Sequence, residues 1–379
     1  MKRKICIVTS TPGAIKAFWK TNIDEISKKH DVYVVTNFDD KNYFEGINII
    51  DAKSIAIERR PAILKDIKAL WKTYKYFRKM KFDAFISMTD KASLISSIAG
   101  FFARIPVRVR VFTGQTWANK KGAIRFFYKM IDRTTVLLNT HSCVDGKPQR
   151  AYLEENKIFK PGYATVIANG SICGVDINRF KASDDIRKSE REKFNIKDDD
   201  VVYTFMGRIN RDKGIYELLG AFNKLCKEHN KARLVLIGSF EGLNNEILSK
   251  HPNISVGENT ILYGFTSSPE KALQISDVFC LPSYREGFGM SAIEAAAVNL
   301  PVICSDAYGM ADTFVEGVTG LKCKVADEES LFDAMKLYYD DSIMRRQHGQ
   351  AGRNRIVELF PMDLVSKEWA KYIDGKLNK

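Results

Sequence analysis

The chain has 379 residues, 45% hydrophobic and 28% charged, with a formal net charge of +13. That length suits two domains, each with its own core, and no run of about 18 apolar residues suggests a transmembrane helix. Seven scattered cysteines without a Cys-x-x-Cys pair argue against a disulfide scaffold or a zinc site and for a reducing cytosol.

In chain order, Ile5–Ser10 reads as a buried strand that turns at Thr11-Pro12-Gly13. Its apolar run is too short for a signal peptide. A helix is expected around Ile15–Lys28, a strand at Val32–Thr36 and a weaker one at Ile47–Ile50. Residues 61–80 read as a long basic amphipathic helix. Ile63, Ile67, Leu70, Trp71, Tyr74 and Phe77 fall on one face, and Lys65, Lys68, Lys72, Lys75 and Lys79 on others. Such a stripe either packs on the domain's own sheet or, with its cationic flanks, meets anionic lipid. Strands follow at Ala84–Ser87, Val107–Phe112 and Val136–Asn139, with a helix from Ala92 to Ala103. After a break near Ala168–Ser171, strands resume at Val201–Met206, Leu234–Gly238, Thr260–Tyr263, Val278–Leu281 and Val302–Ser305.

This alternation predicts α/β architecture: two Rossmann-like, doubly wound domains facing a cleft, residues 1–172 and 173–379. The final helix is free to pack back on the first domain. Ligands are expected outside the C-terminal strand ends. Charge divides unevenly along the chain. Residues 1–180 hold 32 Lys and Arg against 16 Asp and Glu, and the remainder holds 27 against 30. A basic first half calls for an anionic partner, and a membrane surface is expected rather than nucleic acid.

The densest motif is Glu286-Gly287-Phe288-Gly289-Met290-Ser291-Ala292-Ile293-Glu294, between an apolar strand and a small-residue helix. The glycines mark a loop that lifts Glu286 above a strand end. Glu294 lies two turns into the helix, whose free N–H groups favour an anion. A sugar, a phosphate and a ribose fit that geometry. Upstream, Gly207-Arg208 and Lys213-Gly214 close another strand with two cations.

This string resembles the Glu-x7-Glu motif of retaining GT-B glycosyltransferases, especially glycosyltransferase family 4 of the bacterial surface-polysaccharide type. The resemblance spans most of the chain and is strongest over residues 200–320. It implies that Arg208 and Lys213 neutralise the donor diphosphate, Glu286 holds the donor sugar and Glu294 the ribose. Those first three are the expected catalytic groups. Gly13, Gly207, Gly264, Phe265, Gly287, Phe288, Gly289, Met290 and Ser291 would complete the donor site. Acceptor candidates are Asp90, Lys91, Thr113 and Gln115, at strand ends of the first domain. His141 is a weaker candidate. Asp198-Asp199-Asp200 carries an Asp-x-Asp pattern but reads as a solvated turn.

The resemblance implies a nucleotide-sugar co-substrate, a UDP-sugar, with no resident cofactor and no metal. It implies hexosyl or N-acetylhexosaminyl transfer to a polyprenyl-diphosphate-linked saccharide at the inner face of the cytoplasmic membrane. Capsule, O-antigen or exopolysaccharide assembly would be the setting. The alternatives are a GT-B sugar-nucleotide epimerase, which needs acid–base groups that five histidines scarcely supply, and a non-catalytic binder of anionic surfaces. The second leaves the Glu-Gly-Phe-Gly loop unexplained.

Overall fold

The computed structural model describes residues 2–58, 62–241 and 245–378. They form two compact units, Met1–Gly174 with Met362–Lys379, and Val175–Pro361. Assigning the final helix, Met362–Leu377, to the first unit sharpens the charge asymmetry. That unit carries 35 Lys and Arg against 18 Asp and Glu, and the second 24 against 28.

In the first unit the strands are β1 (Lys4–Val8), β2 (Asp31–Thr36), β3 (Asp51–Ser54), β4 (Ala84–Met88), β5 (Val107–Phe112), β6 (His141–Val144) and β7 (Thr165–Val166). All pair in parallel, in the order β3-β2-β1-β4-β5-β6-β7. Central strands such as β1 and β4 are almost wholly buried, so they read as apolar runs without alternation. Strand order reverses between β1 and β4. There Ser10 Oγ bonds Thr89 Oγ1 at 2.9 Å.

Helices Ile63–Met80, Asp90–Phe102 and Gly122–Leu138 pack side by side, the second between the other two. Each feeds the N-terminal end of the next strand. All three therefore begin at the sheet's C-terminal edge, and right-handed crossovers put them on one face. The final helix packs instead on Lys20–Ser27, where Trp19 and Trp369 meet at 5.1 Å. Trp369 Nε1 donates to the Ile172 carbonyl at 2.9 Å.

Three expectations are corrected in this unit. The third strand is Asp51–Ser54 rather than Ile47–Ile50: a 3-10 turn at Lys41–Phe44 delays the chain's entry into the sheet. Residues Val136 to Leu138 end a helix. Its inward side mixes the buried Asp132 and Thr135 with Tyr128 and Val136, and the apolar run at its end read as a strand. Consequently His141 opens β6 at the N-terminal edge, away from the C-terminal strand ends, with Nδ1 2.9 Å from Thr140 Oγ1. The helix expected over 61–80 runs from Ile63, and Pro61 lies outside the described residues.

The second unit holds β8 (Val201–Met206), β9 (Ala232–Ile237), β10 (Thr260–Gly264), β11 (Val278–Leu281), β12 (Val302–Ser305) and β13 (Gly320–Cys323), all parallel. Their order, β10-β9-β8-β11-β12-β13, reverses between β8 and β11. Asp199 and Asp200 precede β8 at the opposite edge. Asp200 is not solvated as the sequence suggested: it is buried and pairs Arg233 at 2.9 Å.

Candidate active site of the second unit

The reversal between β8 and β11 parts two neighbouring loops, which is where a doubly wound sheet offers its crevice. The first, 207–214, leaves β8, makes one 3-10 turn at Arg211–Lys213 and enters helix Ile215–Glu228. The second, 282–289, leaves β11 and enters helix Met290–Ala297. Tyr284 N bonds the Asp212 carbonyl at 2.9 Å, and Arg285 pairs Asp212 at the same distance. Close approach requires glycine at two points. Gly214 has φ +72°, and a Cβ there would lie 2.0 Å from the Pro282 carbonyl oxygen. A Cβ on Gly309 would lie 2.1 Å from that of Glu286.

Held this way, Lys213 Nζ bonds Glu286 Oε1 directly, and the pair is mostly buried. Ser283 Oγ donates to the same carboxylate oxygen at 2.8 Å. Ser283 is itself fixed through its carbonyl, which accepts from Ser305 Oγ at 2.5 Å. A cation and a carboxylate are thus oriented at one strand end before any substrate arrives. Arg208 lies on the same loop, half-exposed, with Nη1 3.3 Å from Glu241 Oε2. Asn210 Nδ2 reaches that oxygen at 3.4 Å.

Gly289, with φ +74°, breaks the chain into the helix that carries Glu294. The Glu294 carboxylate makes no hydrogen bond to another described residue. Loss of hydration raises it to about 7. The Arg179 guanidinium opposes that rise and Glu270 adds to it. Arg179 pairs Glu270 at 2.6 Å and bonds the Ser267 carbonyl at 3.1 Å, so it ties the turn after β10 to this carboxylate. In that turn Gly264 has φ +81° with open space beside it, and Phe265 is exposed.

The second unit therefore brings Gly207, Arg208, Lys213, Glu286, Gly287, Gly289, Met290, Ser291 and Glu294 to one sheet edge, with Gly264 and Phe265 beyond β9. One residue needs correction: the Phe288 ring is buried in the core against Phe360 at 5.3 Å, so only its backbone can serve a ligand. Sequence reasoning missed Arg179, Glu241 and Ser283. Ser283 stands two residues past the strand Val278–Leu281, whereas Arg179 and Glu241 carried no local signal.

In the first unit Gly13 lies in the turn after β1, with Tyr43 Oη as its nearest neighbour. Asp90 opens its helix and accepts from Thr116 Oγ1 at 3.0 Å. The Arg110 guanidinium lies 3.6 Å away. Two further acceptor candidates bond within the unit. Lys91 pairs Asp66 at 2.6 Å. Gln115 is buried and donates to the Thr113 carbonyl, which also accepts from Gln149 at 2.8 Å. Sequence reasoning missed the buried Arg110, which pairs Asp132 at 2.6 Å, and Trp117, which donates to the same carboxylate at 2.6 Å.

Residues 186–355 match the family model for Glycosyl transferases group 1. The capsular polysaccharide biosynthesis glycosyltransferase CapM of Staphylococcus aureus is 29% identical over 347 residues, 91% of this chain and 90% of its own length. The Escherichia coli UDP-Gal:alpha-D-GlcNAc-diphosphoundecaprenol alpha-1,3-galactosyltransferase is 25% identical over 85% of this chain and 83% of its own. Among solved structures, Anabaena HepE in complex with UDP and glucose superposes with a TM-score of 0.81 at 16% identity, covering 98% of this chain and 99% of that one. WaaG, a glycosyltransferase involved in lipopolysaccharide biosynthesis, gives 0.75 at 14% identity over 98% and 99%. The fold is that of GT-B glycosyltransferases.

Proposed function

From a chain that carries a Glycosyl transferases group 1 domain in a GT-B fold, we propose a retaining, family-4-type transferase that moves a hexosyl or N-acetylhexosaminyl group from a UDP-sugar to a polyprenyl-diphosphate-linked saccharide in surface-polysaccharide synthesis. The observation that carries this reading is the Lys213–Glu286 contact at the β8/β11 reversal, with Arg208 on the adjoining loop. A departing nucleoside diphosphate develops charge on its β-phosphate. Lys213 and Arg208 stand where fixed cations stabilise that charge. On donor binding Lys213 exchanges its carboxylate partner for phosphate, which leaves Glu286 to accept from sugar hydroxyls. Glu294, with no hydrogen bond to another described residue and poorly hydrated, accepts from ribose hydroxyls.

Among the described residues of this edge, no side chain is committed as a base. Attack from the leaving-group face, with the β-phosphate oxygen taking the acceptor's proton, accounts for that and gives retention. The polyprenyl-linked acceptor is proposed because a diphosphoundecaprenol acceptor appears in the name of the Escherichia coli relative, and because the first unit is strongly basic. Action at the anionic inner face of the cytoplasmic membrane follows.

The test incubates purified protein with labelled UDP-sugars and a short-chain polyprenyl diphosphate saccharide. Label should pass to the acceptor with its anomeric configuration kept. Inversion would refute the retaining mechanism, and absence of UDP release from every donor would refute the transferase reading.

A further inference from the structure

Both cations at the end of β8 face a carboxylate, and the two carboxylates differ in what else they can do. Glu286, on the β11 side, pairs Lys213 and is the group read as holding the donor sugar. Glu241 lies on the other side of β8, on the loop that leaves β9. Backbone fixes its place. Ile209 N donates to the Ser239 carbonyl at 2.9 Å and Glu241 N to the Ile209 carbonyl at 3.0 Å, so the two loops extend the sheet, with Ile209 bridged to Phe240. Gly238, at φ +136°, allows the approach: a Cβ there would lie 1.8 Å from the Gly207 carbonyl oxygen. Arg208 Nη1 and Asn210 Nδ2 then meet one Glu241 oxygen at 3.3 and 3.4 Å. Arg208 and Glu241 are both half-exposed, and an ion pair of that kind adds little to stability. The fold therefore gives no reason for an acid at this point.

We propose that Glu241 sets the charge selectivity of the nucleotide site, disfavouring the spent nucleoside diphosphate more than the nucleotide sugar. This rests on the reading of Arg208 as a diphosphate ligand. Transfer breaks the bond between the anomeric carbon and the β-phosphate oxygen. The carbon bonds the acceptor oxygen, whose proton passes to the β-phosphate and on to water. In the donor that phosphate is capped by sugar at one end and carries a single charge. In the product it is terminal and loses a further proton, as phosphate monoesters do near pH ~6. The product thus carries one more negative charge on the phosphate that Arg208 and Lys213 attract. Glu286 turns to sugar hydroxyls while the donor is bound. Glu241 has no sugar to turn to, so its charge stays beside the phosphates throughout the cycle. One extra charge about 6 Å from a carboxylate at a half-exposed site shifts affinity about 3- to 10-fold.

The test is calorimetry of full-length protein, wild type and Glu241→Gln, with uridine, UDP and UDP-glucose. UDP-glucose stands for any donor, because only its capped β-phosphate matters. The amide keeps the oxygen that Arg208 and Asn210 meet and removes the charge. UDP should bind the variant about 3- to 10-fold more tightly at low salt, UDP-glucose by a smaller factor and uridine equally. Added salt should shrink the UDP gain. Weaker UDP binding in the variant would overturn the proposal, since Glu241 would then be orienting Arg208. Equal gains for UDP and UDP-glucose, or no change for either, would overturn it too. Arg208→Ala separates this from the functional reading. Unchanged UDP affinity there would remove Arg208 from the diphosphate site. A fall there, with Glu241→Gln indistinguishable from wild type, would remove the charge selectivity alone.

Discussion

Replacing Glu294 by Gln should make the protein more stable and a poorer nucleotide binder at once. Its carboxyl, raised to about 7 from an ordinary 4.5, is held neutral by burial more readily than in the unfolded chain. Below pH 4.5 both states are protonated and the group contributes nothing. As pH rises from 4.5 to 7 the unfolded chain releases the proton first, so ionisation progressively destabilises the native state. At pH 8 the cost reaches ~3 kcal/mol, taking ~1.4 kcal/mol for each pH unit between the two values, and at pH 5 it is under ~1 kcal/mol. Gln stays neutral throughout and avoids that cost. Denaturation at both pH values should show the variant gaining up to ~3 kcal/mol at pH 8 and little at pH 5. UDP affinity, by calorimetry at pH 8, should fall ~10-fold or more, since a charge-assisted bond to ribose is lost. Equal stability of variant and wild type at pH 8, or unchanged UDP affinity, would refute the reasoning.

Glu286→Gln should slow transfer by ~10- to 1000-fold with the fold intact, since one or two charge-assisted bonds at ~1.5–3 kcal/mol each are lost. Near wild-type turnover would remove Glu286 from the site. Lys213→Ala should weaken UDP binding far more than uridine binding. An equal loss for both, by calorimetry, would mark Lys213 as structural. Asp132→Asn leaves the buried Arg110 charge without its closest carboxylate, and urea denaturation should show a loss of ~3–5 kcal/mol. A loss below ~1 kcal/mol would mean that Asp90, 3.6 Å from Arg110, already compensates its charge.

Much of the donor-site edge was legible because its elements are local. The strand Val201–Met206 followed by Gly207-Arg208, and Glu286 to Glu294 spanning loop and helix, each announce a strand–loop–helix unit within a dozen residues. Apolar runs and glycines suffice to phase such units. The polar inward face of Gly122–Leu138 was not legible. Among its apolar residues Tyr128 and Val136 pack on the core, and the run Val136-Leu137-Leu138 at its end read as a short strand.

By itself the sequence determined two parallel-sheet units and placed Arg208, Lys213 and Glu286 in loops past strand ends and Glu294 in the helix that follows, because backbone preference and apolar periodicity act over short spans. Only the tertiary structure decided which groups meet. Lys213 reaches Glu286 across 73 residues of chain. Arg179 and Glu270 set the charge around Glu294, and Arg110 pairs the buried Asp132 across 22 residues of chain. These are long-range pairings, created when strand order brings distant loops together, and the desolvation that shifts Glu294 exists only once the surrounding core has closed.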